Sequence, residues 1–126
     1  MGYRSEVVFA ITPEAVPAFM ALCAKTPELQ DLCFKENDLL QSGVDRKGDY
    51  LFQWDHIKWY SSYPPIEELE AFIDALESDD LSAYGEEEEH DWHECFKFVR
   101  IGEDLDDTDQ RGYGFDGIHI NRSISF

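Results

Sequence analysis

The chain has 126 residues, 43% of them hydrophobic and 14% aromatic, and carries a formal net charge of -18. That length suits one domain able to close a core without disulfide or metal staples, and the charge excludes electrostatic capture by nucleic-acid backbones or anionic lipid surfaces. No apolar run approaches the roughly 18 residues of a membrane span and no secretion signal is evident, so a single α+β domain of a cytoplasmic protein is expected, with no membrane partner.

In chain order, Tyr3 to Ile11 alternates, placing Tyr3, Ser5, Val7, Phe9 and Ile11 on one face and Val8 and Ala10 on the other, the pattern of a strand covered on at least one side. Thr12-Pro13-Glu14 then supplies an N-cap residue, a proline for the first helical turn and an acid at the positive dipole end. A helix to about Ala24 is predicted, carried by Val16, Phe19, Met20, Leu22 and Cys23. Thr26-Pro27-Glu28 repeats the start signal for a short second helix through Leu29, Leu32 and Cys33.

Asp38 to Val44 and Asp49 to Tyr60 flank the turn-rich Asp45-Arg46-Lys47-Gly48, which predicts a hairpin. Tyr50, Phe52 and Trp54 fall on one face of its second strand, and Leu51, Ile57 and Trp59 on the other, so this strand is expected inside the sheet. Pro64-Pro65 opens a third helix with the apolar stripe Ile66, Leu69, Phe72, Ile73 and Leu76. Ser82 to Asp91 reads as an exposed acidic connection, Trp92 to Ile101 as another strand, Gly102 to Asp109 as an acidic loop, and Ile118 to Phe126 as a closing strand with Ile118, Ile120, Ile124 and Phe126 inward. This order describes helices packed on one face of a mostly antiparallel sheet, a ferredoxin-like split βαβ with an added C-terminal strand.

Charge is distributed unevenly along this chain. The stretch from Glu67 to Asp109 holds 18 of the 28 Asp and Glu residues and only two cations, Lys97 and Arg100, so its net charge is -16. Glu67, Glu70, Asp74 and Glu77 cover the polar side of the third helix, and Glu86, Glu87, Glu88 and Glu89 form the peak of the connection. Glu77, Asp79 and Asp80 stand at the negative end of that helix's dipole, an unfavourable placement unless a cation binds there. Such a surface attracts basic proteins and divalent cations.

Three constellations could carry chemistry. Asp104, Asp106, Asp107 and Asp109 offer carboxylates for weak Ca or Mg binding. Asp107, Asp109 and Gly112 even fall at positions one, three and six of a calcium-loop register, which then fails with Arg111 at the fifth and Ile118 at the twelfth. His90, His93 and Cys95 are atom types zinc favours, but no fourth ligand follows from the spacing, and half-exposed histidines in an acidic setting are the plainer reading. Lys47-Gly48-Asp49-Tyr50-Leu51-Phe52 is a partial echo of an RNA-recognition motif, and ten dispersed cations cannot make the basic track it needs. Cys23, Cys33 and Cys95 lack redox or knuckle spacing and read as buried thiols. Neither a nucleophile elbow, a phosphate loop nor a dinucleotide motif is present.

Tyr3-Arg4-Ser5-Glu6-Val7, Trp54-Asp55-His56-Ile57-Lys58-Trp59-Tyr60 and Arg100-Ile101-Gly102-Glu103-Asp104-Leu105-Asp106-Asp107 resemble stretches of small acidic proteins of phage and prophage genomes that carry no assigned activity. The resemblance implies a biological context, in which small acidic inhibitors of host proteins occur, and no chemistry. The expectation is a non-enzymatic module that presents Glu67, Glu70, Asp74, Glu77 and Glu86 to Glu89 to a basic protein surface, as an inhibitor or a mimic of nucleic acid. Two alternatives stand beside it: a divalent-metal protein using the Asp104 to Asp109 loop, and a charge that serves solubility alone.

Overall fold

The computed structural model describes residues 3–104, 106–115, 117–121 and 123–125, with residues 119–121 and 123–125 described by their backbone. Five strands form one antiparallel sheet: β1 (Ser5–Ile11), β2 (Leu39–Ser42), β3 (Tyr50–Ile57), β4 (Phe96–Ile101) and β5 (Thr108–Arg111), in the spatial order β2-β3-β1-β4-β5. Helices α1 (Val16–Lys25) and α2 (Pro27–Phe34) connect β1 to β2, and α3 (Pro64–Glu77) connects β3 to β4. The fold is therefore α+β with an open antiparallel sheet. Among the described residues no helix is long and apolar enough to cross a membrane.

The alternation of β1 separates two cores. Val7, Phe9 and Ile11 join Phe52, Trp54, Phe96 and Phe98 beneath all three helices, while Val8 and Ala10 join Leu51, Val99, Phe115 and Ile118 on the opposite face. Every residue of the predicted α3 stripe is buried, with Leu69, Phe72, Ile73 and Leu76 at 0% exposure. Phe19 of α1 meets Phe9, Phe52 and Phe72 with ring centroids 5.8, 5.6 and 5.8 Å away, within the range of favourable aromatic packing. The Trp54 indole N–H donates to the Leu32 carbonyl at 3.0 Å and ties β3 to α2.

Four sequence expectations need correction. Ile57 and Trp59 lie on the helix side with Trp54, because β3 bulges against β1: Ser5 pairs with Ile57 and Val7 with Trp54, so three steps of β3 oppose two of β1 and the parity flips. The strand predicted from Trp92 begins at Phe96, and Trp92–Glu94 forms a 3-10 turn that also turns Cys95 into the helix-side core. The end of the predicted acidic loop is the edge strand β5, with Asp109 opposite Arg100 and Arg111 opposite Phe98. The single closing strand is instead two short strands, β6 (His119–Asn121) and β7 (Ser123–Ser125), paired with each other outside the main sheet. Ile118 is buried as expected, whereas the inward placement of Ile120, Ile124 and Phe126 falls outside the described side chains. Thr12 occupies its N-cap position but makes no side-chain cap hydrogen bond.

Two local devices fix strand ends. Gly112 turns the chain after β5 at φ +89, and a Cβ there would overlap the Phe96 carbonyl, so only glycine fits. At the hairpin between β2 and β3, Asp49 is 1% exposed and accepts backbone N–H bonds from Val44, Asp45 and Arg46, each at 2.8 Å. Burial raises its carboxyl pKa, but these amide bonds outweigh burial and hold it below the ordinary carboxylate value.

Candidate functional site

α3 and β4 run in opposite directions across the same end-to-end span. β4 begins at the Trp92–Glu94 turn and ends at the aspartate loop, where Glu6 pairs with Ile101, and α3 starts beyond the Ile57 end of β3, which pairs with Ser5. The aspartate loop and the glutamate connection therefore lie at opposite ends of β4, roughly 17 Å apart at about 3.3 Å per strand residue. Glu67, Glu70, Asp74 and Glu77 recur at spacings of three and four along one face of α3. At 1.5 Å per residue that stripe covers about 15 Å, so it bridges the two ends. Glu67, Asp74 and Glu77 are exposed and Glu70 is half-buried; Glu87, Glu88 and Glu89 are exposed and Glu86 is half-buried.

The cation that the α3 terminus calls for comes from the chain itself. Arg111 of β5 is paired with both Asp74 and Glu77, its Nε donating to Glu77 Oε1 at 2.9 Å. Burial disfavours the Arg111 charge, and the Glu77 and Asp74 contacts more than offset it, raising its pKa. Asp79 follows the helix in the left-handed region at φ 57 and accepts both the His93 backbone N–H, at 2.9 Å, and its ring Nδ1, at 2.6 Å. The His93 amide and ring lower the Asp79 pKa; the Asp79 hydrogen bond correspondingly raises that of His93 against desolvation. Asp80 caps the next turn by accepting from the Ser82 hydroxyl at 2.6 Å, which lowers its pKa.

The predicted metal quartet is arranged differently from a chelate. Asp107 takes the Arg100 guanidinium in two hydrogen bonds, 2.5 and 3.2 Å, and a third from the Tyr3 hydroxyl at 2.7 Å. Arg100 lowers its pKa most, with Tyr3 adding to the effect. Asp109 lies 3.5 Å from Arg100 on β5, and Asp104 and Asp106 are exposed. Among the described residues, the one set of three groups whose ligand atoms lie within 4.8 Å of one another is Asp79, Asp91 and His93. His90 instead lies against Trp92, at 4.7 Å between ring centroids, and Cys95 is buried. The three thiols are free and buried, and desolvation raises each pKa, that of Cys23 to about 11. Phe52 and Trp54, the aromatics of the RNA-motif echo and its strand, are 0% and 1% exposed and offer no stacking platform.

The sequence reading missed the pairings that organise this region: Arg111 with α3, Arg100 with Asp107, and Asp79 with His93. The surplus of acid at the α3 terminus was the signal that a cation belonged there. Comparison with known proteins finds no matching family model, no matching curated protein and no matching solved structure.

Proposed function

We propose that the protein is a non-enzymatic binding module of the cytoplasm whose acidic side docks on a basic protein surface, in the manner of a phage inhibitor that imitates nucleic acid. The reading rests on one observation: the cations of the acidic half are committed internally, while most of its carboxylates are not. Lys97 is 9% exposed and donates to the Gly112 carbonyl, Arg100 holds Asp107 and Asp109, and Arg111 holds Asp74 and Glu77. Among the described residues no ion pair engages Glu67, Glu70 or Glu86 to Glu89. Glu67 and Glu70 of α3 and the glutamate connection thus present uncompensated charge, which steers and holds a cationic partner. The module shares its helix-strand order with a ferredoxin-like split βαβ, to which β5 adds an edge strand.

Affinity capture from the producing cell at low salt tests this. The wild-type protein is expected to recover a basic protein that the Glu86→Lys, Glu88→Lys double variant does not. Recovery of no basic protein, or equal recovery by both, contradicts the docking role.

A further inference from the structure

In one place the acidic half converges on a point that no arginine among the described residues fills. Asp79 lies just beyond the C-terminus of α3, Asp91 precedes the Trp92–Glu94 turn and His93 lies within it, and their ligand atoms all fall within 4.8 Å of one another. Donors held tetrahedrally around one zinc-sized ion at about 2.1 Å stand about 3.4 Å apart, so binding would draw these groups closer by turning the exposed Asp79 and Asp91 side chains. A cleft of about 620 Å³ opens at the same point and is lined by Asp79, Glu89, His90 and Asp91. It gives an ion access to solvent and to two further donor side chains.

Charge points the same way. Asp79, Asp91 and Glu94 act on the His93 imidazole, Glu89 lines the adjoining cleft beside a second imidazole, His90, and the negative end of the α3 dipole adds to the field. One proton on His93 offsets one of these charges, whereas a divalent ion offsets two and bonds directly to three donors.

We propose that Asp79, Asp91 and His93 form a binding site for a first-row divalent cation of the zinc type. Two carboxylates and one imidazole suit Zn²⁺ or Mn²⁺, while Ca²⁺ and Mg²⁺ are served by oxygen donors alone. Ligation through His93 Nδ1 replaces its hydrogen bond to Asp79 with a bond to the ion. The ion then clamps the end of α3 to the turn that launches β4, across the base of the glutamate connection. This site is separate from the Asp104 to Asp109 loop and does not depend on the docking role.

The test titrates ZnCl₂ into the reduced full chain by calorimetry, with thermal unfolding in parallel and MgCl₂ and CaCl₂ as comparisons. One Zn²⁺ per chain is expected, with a rise in Tm that a chelator reverses. Asp91→Asn and His93→Gln should each weaken binding by at least about tenfold, while His56→Gln and Asp104→Asn leave it unchanged. Because His93 also packs edge-on against Tyr113, with ring centroids 5.6 Å apart, Asp91→Asn is the cleaner variant, and a Zn²⁺-dependent shift of the His93 imidazole ¹⁵N signals reports ligation in the wild type. Absence of stoichiometric Zn²⁺ binding overturns the proposal. So does binding unchanged by Asp91→Asn with the His93 signals unmoved, or an equal response to Mg²⁺ and Ca²⁺ that leaves the imidazole unmoved.

Discussion

Replacing Asp49 with asparagine isolates the one acid that is buried among the described residues. Its Oδ1 serves the Val44 amide and its Oδ2 those of Asp45 and Arg46. An asparagine that keeps its oxygen at the Oδ2 position retains two of these bonds in neutral form and turns its amide nitrogen toward the Val44 N–H, donor against donor. Bonds to a charged acceptor contribute roughly 1.5–3 kcal/mol each and neutral ones roughly 0.5–1.5. Losing charge from two bonds and breaking the third therefore costs about 3.5–6 kcal/mol, eased toward about 3 because Val44 is exposed and water can replace the broken bond. For a chain of this size that corresponds to a fall in Tm of roughly 12 °C, at about 4 °C per kcal/mol. Asp49→Ala, which removes all three acceptor contacts, should cost more than Asp49→Asn. Urea unfolding of both variants, with amide exchange at residues 44–46, measures the effect. The native carboxyl pKa is held below the ordinary value of 3.8, so its stabilisation is present above that pH and fades as pH falls through the native value. The gap between wild type and Asp49→Asn should therefore narrow in acid. A variant within about 0.5 kcal/mol of wild type at neutral pH, or a gap that widens in acid, refutes this role for the carboxylate.

The other predictions follow from the same contacts. Arg111→Gln frees Asp74 and Glu77; with the arginine side chain 20% exposed and its partners 69% and 42%, the loss should be only about 1 kcal/mol in chemical unfolding, while salt added to the variant should recover part of it by screening the exposed acids. Phe72→Ala, at the contact of Phe19 and Tyr84 with ring centroids 5.8 and 5.0 Å away, should cost about 3–5 kcal/mol by the same assay. Gly112→Ala places a Cβ against the Phe96 carbonyl at positive φ and should cost about 2–4 kcal/mol, whereas Gly43→Ala, also at positive φ but with open space around it, should cost about 1.

Local signals were legible in the sequence, and tertiary ones were not. The α3 stripe was readable because Ile66, Leu69, Phe72, Ile73 and Leu76 repeat at helical spacing between a Pro-Pro start and a polar end. β1 was readable because its alternation feeds two cores. Ile57 was misplaced because a bulge changes parity without changing composition. β5 was missed because Thr108-Asp109-Gln110-Arg111 has no apolar face of its own; it is a strand by virtue of the hydrogen bonds β4 offers its edge. The site pairings lie beyond local reading for the same reason: Arg111 reaches Asp74 and Glu77 across 37 and 34 residues, and His93 reaches Asp79 across 14. The sequence located the acid; the sheet decided which acids meet a cation and which face outward.

The docking role is tested most directly by the salt dependence of affinity for the captured basic protein, measured for wild type and for single charge reversals. The logarithm of the association constant should fall steeply with the logarithm of salt concentration. That slope should shrink with Glu67→Lys, Glu70→Lys, Glu86→Lys and Glu88→Lys, but not with Glu28→Lys on α2. An affinity indifferent to salt, or one weakened equally by Glu28→Lys and by reversals on α3 and the glutamate connection, would contradict it.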